Sequence, residues 1–86
     1  LRDLLFQASH LAGRALQAQG RAAAAADSFS TGLGYLEELR QDLSGADLKQ
    51  FLGRPETAEF AGDAGLLFPS VKRSGDADRL RALLQP

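Results

Sequence analysis

The stretch that decides the fold covers residues 9–32 and reads SHLAGRALQAQGRAAAAADSFSTG. It carries apolar and small residues at helical spacing on both sides of Gly20, a residue type that commonly ends a helix. The alanine run 22–26 favours helix, and its small side chains let two helix backbones approach closely. Because only a residue or two around Gly20 separate the two segments, we expect antiparallel helices joined by a tight turn.

Outward from this stretch, the spacing predicts a first helix over residues 1–19 and a second over 21–43. The first helix is expected to pack through an apolar stripe made of Leu4, Leu5, Ala8, Leu11, Ala12, Ala15, Leu16 and Ala18. The second is expected to pack through Phe29, Leu33, Leu36, Leu39 and Leu43. Residues 1–43 are therefore predicted to form a helical hairpin.

The second half, residues 44–86, carries shorter helical patterns. Ser44 and Asp47 predict a capping box ahead of a short helix. A last amphipathic helix is expected over 76–84, after a polar turn at 72–76.

Between these two short helices, Pro55 is suited to the first turn of another helix. We expect that helix to run from 55 to about 67 and to end before Pro69, which cannot continue it easily. Its expected buried residues are Phe60, Ala64, Leu67 and Phe68.

Composition supports a single all-α domain. The chain has 86 residues, ten Lys and Arg against eleven Asp and Glu, and a formal net charge of −1, and these scattered charges give no sign of nucleic-acid binding. Val71 is the only Val or Ile, which argues against a β-sheet. The absence of cysteine excludes thiolate metal sites and fits a reducing cytoplasm. We expect no cofactor, no metal and no membrane span. Because the chain starts with Leu1, we expect it to be part of a longer protein.

A set of size-restricted positions runs through the predicted hairpin: Gly13, Leu16, Gly20, Ala25, Phe29 and Gly32. Their spacing resembles that of the tetratricopeptide repeat (TPR), a helix-turn-helix unit of about 34 residues. Ala12-Gly13 stands where the family usually has Leu-Gly. Ser9 replaces the large aromatic residue expected near the start of the first helix, and the usual closing proline is absent.

The resemblance implies an arrangement and a function. Residues 6–39 would be the last full repeat, and 44–86 a degenerate repeat or a cap over the end of the stack. The stretches 36–40, 47–52 and 54–56 resemble the segment that follows the last repeat in large bacterial multi-repeat regulators and signalling ATPases. The implied function is non-catalytic protein or peptide binding. The implied partners are another protein, neighbouring repeats of the same chain, or a second copy on an exposed face.

Four polar residues are the candidate binding residues: Gln7, His10, Arg14 and Gln17. They recur at helical spacing on one side of the first helix. In TPR arrays this side lines the concave groove in which ligands sit, so the resemblance implies that they contact the partner. The alternative is a solvated helix face with His10 on the surface.

Two other functions stay open. The sequence around His10 is superficially similar to that of histidine phosphotransfer domains, although those place the glycine one residue later, after a basic residue. The chain is alternatively a helical oligomerisation segment. No acid–base pair in a sheltered pocket is indicated, so no catalytic residue is assigned. The one basic cluster, typical of a solvated face, consists of Lys72, Arg73, Arg79 and Arg81.

Overall fold

The computed structural model describes all 86 residues and contains helices and turns but no strands. The five helices are α1 (Arg2–Ala18), α2 (Ala22–Gln41), α3 (Gly45–Gly53), α4 (Pro55–Ser70) and α5 (Ser74–Leu83). Helices α1 and α2 form one antiparallel hairpin, α4 and α5 form a second, and α3 connects them. The predicted all-α fold is confirmed. None of these helices has both the length and the apolar character needed to cross a bilayer.

The turn between α1 and α2 is built around Gly20, as predicted. Its φ is +75°, a left-handed conformation that glycine adopts without a steric penalty. The Arg21 N–H donates to the Leu16 carbonyl at 2.9 Å, and the Gly20 N–H donates to the Gln17 carbonyl at 2.9 Å. This pair of hydrogen bonds is a Schellman motif, which satisfies the last carbonyls of α1 and reverses the chain.

Small residues set how closely the helices approach. A Cβ atom at Gly13 would lie only 3.1–3.2 Å from three ring carbons of Phe29, and one at Gly32 would lie 3.2 Å from the ring of Phe60. Ala25 has no exposed surface. Phe29 therefore lies directly against the backbone of α1, and Phe60 lies directly against that of α2.

The buried face of α1 differs from the predicted apolar stripe. Phe6, His10 and Gly13 are buried, whereas Leu4 and Leu11 are 68% and 65% exposed. Of the eight stripe residues only Leu16 packs against the core, so the prediction was wrong for the others. The reason is that α1 offers two faces. The face with Phe6 buries a large aromatic ring, and Gly13 lets Phe29 come close.

Three phenyl rings join the second hairpin to the first. Phe60 of α4 meets Phe6 edge-on at a centroid distance of 5.2 Å and Phe29 at 5.7 Å. The apolar core continues as a single cluster of 13 residues that reaches Leu80 and Leu83 of α5. Edge-to-face packing is favourable for aromatic rings, so Phe60 connects the core of the first hairpin to α4.

One predicted cap and one predicted helix end are corrected. Ser44 is the N-cap residue of α3, as predicted, but its side chain makes no capping hydrogen bond, so the predicted capping box is not formed. Gly45, the first residue of the helix, has φ +58°. Helix α4 continues through Pro69 to Ser70. A proline in the last turn removes only one helical hydrogen bond, and the extension keeps Phe68 buried in the core.

Helix α4 ends in the same motif as α1. The Arg73 N–H donates to the Phe68 carbonyl at 2.8 Å, and the Lys72 N–H donates to the Pro69 carbonyl at 3.1 Å. Lys72 has φ +61° and is the only non-glycine residue with positive φ. The second hairpin thus places a lysine where the first has a glycine, and α5 begins at Ser74, two residues earlier than expected.

Candidate functional site

Three of the four predicted binding residues line one groove between α1 and α4. Gln7, His10 and Arg14 lie opposite Glu56 and Glu59 across a space of about 150 Å³. This volume is below the roughly 300–1,000 Å³ of typical small-molecule sites. The groove is therefore smaller than a typical small-molecule site. The fourth predicted residue, Gln17, is exposed near the end of α1 and does not line it.

His10 forms the floor of this groove and is not a surface residue. Only 8% of it is exposed. Its ring packs among Phe6, Phe29 and Phe60 at centroid distances of 6.1, 5.6 and 5.3 Å. Its Nε2 lies 2.7 Å from Oδ2 of Asp63 on α4. The alternative that places His10 on a solvated helix surface is therefore wrong, and the histidine provides a polar link between α1 and α4.

This geometry argues against histidine phosphotransfer. A phosphoryl acceptor needs a ring nitrogen that an anionic donor can reach. Nε2 of His10 faces the carboxylate of Asp63, which would repel an incoming phosphate. No group of three or more His, Cys, Asp or Glu residues is placed to hold a metal ion.

The polar residues at the edge of the groove differ in how firmly they are held. Gln7 Nε2 donates a 3.2 Å hydrogen bond to Asp3, and Asp3 also accepts one at 3.1 Å from Arg54. The Arg14 side chain is 57% exposed, and its Nε lies 3.9 Å from Asp63. Such a long, exposed ion pair is weak, so Arg14 is held less firmly than Gln7.

A second surface on α1 was predicted to be core and is instead exposed. We call it the α1 outer face, and it consists of Leu1, Leu4, Leu5, Ala8, Leu11, Ala12, Ala15 and Ala18. The charged residues Arg2 and Asp3 point away from it, to Glu38 and Arg54. Monomeric soluble proteins rarely expose a continuous apolar patch of this kind without a partner for it.

The predicted basic cluster is largely neutralised. Arg79 donates to Glu37 on α2 at 3.2 and 2.5 Å, and Arg73 donates to Asp27 on α2 at 2.7 Å. Asp76 pairs with both arginines at 2.9 Å. Because the charged form of Arg79 is held mainly by its hydrogen bond to Glu37, its pKa is raised above the usual value. These residues therefore attach α5 to α2 and are not free for an anionic ligand.

An open cavity of about 420 Å³ lies between α2 and α3, and sequence reasoning missed it. Its apolar lining is Leu39, Leu43 and Phe51. The Arg54 guanidinium lies 5.1 Å above the Phe51 ring, a cation–π arrangement. Arg54 is already paired with Asp3, so the cavity carries no free charge from this residue.

The two hairpins share features beyond their turns. The spacing between Gly13 and Ala25 is the same as that between Gly65 and Ala77. Ala25 is buried in the core, and the half-buried Ala77 packs against it. In both hairpins the residue with positive φ, Gly20 or Lys72, stands midway along the loop.

No protein-family model matches the chain, and no curated protein or solved structure is significantly similar to it.

Proposed function

We propose that the chain is a non-catalytic protein–protein interaction module of TPR type, acting in the cytoplasm as part of a larger bacterial regulatory or signalling protein. The observation that carries this proposal is the α1 outer face. A rigid helix that displays leucines and alanines to solvent gains free energy when a partner covers it.

The TPR part of the proposal is supported by the hairpin geometry. Gly13 accommodates Phe29, and Gly20 forms the reversal between the helices. The second hairpin, with Gly65 and Ala77 at the equivalent spacing, fits a degenerate repeat. Stacked repeats cover one another's apolar faces, so a neighbouring repeat is one natural occupant of the α1 outer face.

Binding would combine apolar contact with a few polar anchors. Arg14 and Gln7 lie one helical turn from Leu11, at the edge between the outer face and the groove. A partner helix on the outer face would therefore reach both of them. His10, at the bottom of the groove, is hydrogen-bonded to Asp63 through Nε2. That nitrogen would therefore not contact the partner.

The absence of a catalytic role is supported by the surroundings of the one histidine–carboxylate pair. Three phenyl rings enclose His10, and the adjoining space of about 150 Å³ is too small for most substrates. General acid–base catalysis requires that the reacting group come within hydrogen-bond reach of the catalytic side chain.

Site-specific photo-crosslinking tests the proposal. Benzoylphenylalanine is placed at Leu11, and in a matched control at Leu66, which is 81% exposed but lies on α4, away from the α1 outer face. The variants are expressed in the native cells and irradiated. We expect protein crosslinks from position 11 and few from position 66. No crosslink from position 11 to any protein would contradict the proposal.

A further inference from the structure

The α1 outer face has a pattern of large and small residues that is complementary to the same pattern read in the opposite direction. Its central line consists of three leucines and three alanines at helical spacing: Leu1, Leu4, Ala8, Leu11, Ala15 and Ala18. If the first residue of this line is paired with the last, the second with the second to last, and so on, every leucine is paired with an alanine. The matches are Leu1 with Ala18, Leu4 with Ala15, and Ala8 with Leu11.

We propose that the α1 outer face binds the same face of a second copy of this chain, with the two α1 helices antiparallel. This inference rests on the proposed function and names the partner. A two-fold axis through the midpoint, between Ala8 and Leu11, brings all three matched pairs together at once. Each leucine of one copy then fills the space above an alanine of the other, as in close antiparallel helix packing.

The charges of α1 fit this arrangement. The outer face itself buries no charge, so pairing leaves no ion without water or a partner. Asp3, whose carboxylate already pairs with Arg54, and Arg14 lie on the groove side of α1, near its opposite ends. The two-fold axis places Asp3 of each copy beside the end that carries Arg14 of the other. In a parallel pairing, Asp3 of one copy would instead lie beside Asp3 of the other, and Arg14 beside Arg14.

The surface area buried between the two α1 outer faces limits the strength of the dimer. A helix of 17 residues is about 26 Å long and about 10 Å wide, so two such faces cover on the order of 500 Å² together. Stable interfaces bury about 1,200 Å² or more. The dimer is therefore weak and forms in a concentration-dependent way.

Sedimentation equilibrium of the full chain tests the pairing. Between about 10 µM and about 1 mM, a range that covers weak complexes, we expect the mass to rise from monomer toward dimer. The double variant Leu4→Glu/Leu11→Glu is expected to stay monomeric at all concentrations. Its helix content by circular dichroism should not change, because both leucines are exposed. The matched control Leu66→Glu is expected to dimerise like the wild type. A monomeric wild type at 1 mM, or equal loss in the control, would overturn the proposal.

The register is tested by disulfide trapping, because the chain has no cysteine of its own. Leu4→Cys and Ala15→Cys variants are mixed and oxidised mildly. We expect crosslinks between position 4 of one copy and position 15 of the other to dominate. Two position-4 cysteines would lie about 16 Å apart in the antiparallel seam. Predominant 4–4 and 15–15 crosslinks would show a parallel pairing and refute this geometry.

The two proposals fail in different ways. Crosslinks from Leu11 to another protein, combined with a monomeric chain in sedimentation, would refute self-pairing and leave the interaction module standing. Crosslinks from Leu11 to the α1 peptide of a second copy would support both. No crosslinks and no dimer would refute both.

Discussion

Gly13 has no side chain beyond a hydrogen atom, and this allows α1 and α2 to pack closely where they cross. Replacing an exposed helical glycine with alanine usually stabilises a protein by about 1 kcal/mol. At Gly13 the new methyl group would press on the buried ring of Phe29. Overpacking of this kind costs about 1–3 kcal/mol, so we expect Gly13→Ala to lower the free energy of unfolding, as measured by urea denaturation.

Gly62 provides the control for this prediction. It also lies inside a helix, but a Cβ atom there would meet nothing within 4 Å. Gly62→Ala is expected to raise stability by about 1 kcal/mol. If both variants are stabilised, Phe29 does not pack against α1 as described.

Lys72 occupies the position that Gly20 fills in the first hairpin, with φ +61°. A left-handed conformation costs a residue with a Cβ atom about 1–2 kcal/mol. We therefore expect Lys72→Gly to stabilise the protein by about 1 kcal/mol. Lys72→Ala keeps the backbone strain and removes the charge, so thermal and urea unfolding should show little change for it. Equal stabilisation by both variants would assign the effect to charge.

Asp63 is the hydrogen-bond partner of His10 inside the groove. Asp63→Ala would leave Nε2 of a buried ring unpaired, which costs about 1–3 kcal/mol. Asp63→Asn offers both a donor and an acceptor and is expected to lose clearly less stability. Chemical denaturation of the two variants measures the difference. Equal losses would mean that the hydrogen bond contributes nothing.

At the scale of helices, α5 is held to α2 by Arg79 and Glu37. Because both side chains are more than a third exposed, this ion pair is screened by salt and adds little to global stability. Its effect should appear locally. We expect Arg79→Gln to speed amide hydrogen exchange in α5 at low salt, with a smaller difference in high salt. Arg81→Gln is the control, since Arg81 pairs only with Asp78 of its own helix. Equal acceleration in both variants would contradict an anchoring role.

The helices themselves were predictable to within about three residues, because glycine and proline mark most of their ends. The face that each helix buries was less predictable. On α1 the apolar spacing of Leu4 and Leu11 suggested a core stripe, whereas Phe6 and Gly13 form the real contact. Helical spacing shows only which apolar residues share a face. It does not distinguish an aromatic ring from an aliphatic side chain, and it does not show where two helix backbones can approach closely.

The candidate site was predictable only in part. The side of α1 that carries Gln7, His10 and Arg14 does line a groove. The residues on the opposite side of that groove come from α4. Asp63, for example, is 53 residues away from His10 in sequence. No local pattern links residues that far apart. Two acidic partners of the basic cluster, Asp27 and Glu37, likewise lie on α2, so the sequence did not show that they pair with Arg73 and Arg79.

At the scale of the whole molecule, the two hairpins share one core. The Cα radius of gyration is 12.3 Å, close to the roughly 12 Å expected of a single compact body of this length. Within this body α1 places apolar side chains along both of its long sides. One side is covered by α2 and α4, and the other is the α1 outer face.

The position of Phe60 also has a kinetic consequence. Contacts within the first hairpin close short loops, which form in microseconds or less. Phe60 must instead find Phe6, 54 residues earlier in the chain, and the entropy of closing that long loop comes before any gain from the contact. The first hairpin is therefore expected to form early and the docking of Phe60 late, so that weakening the Phe60 contact would mainly accelerate unfolding.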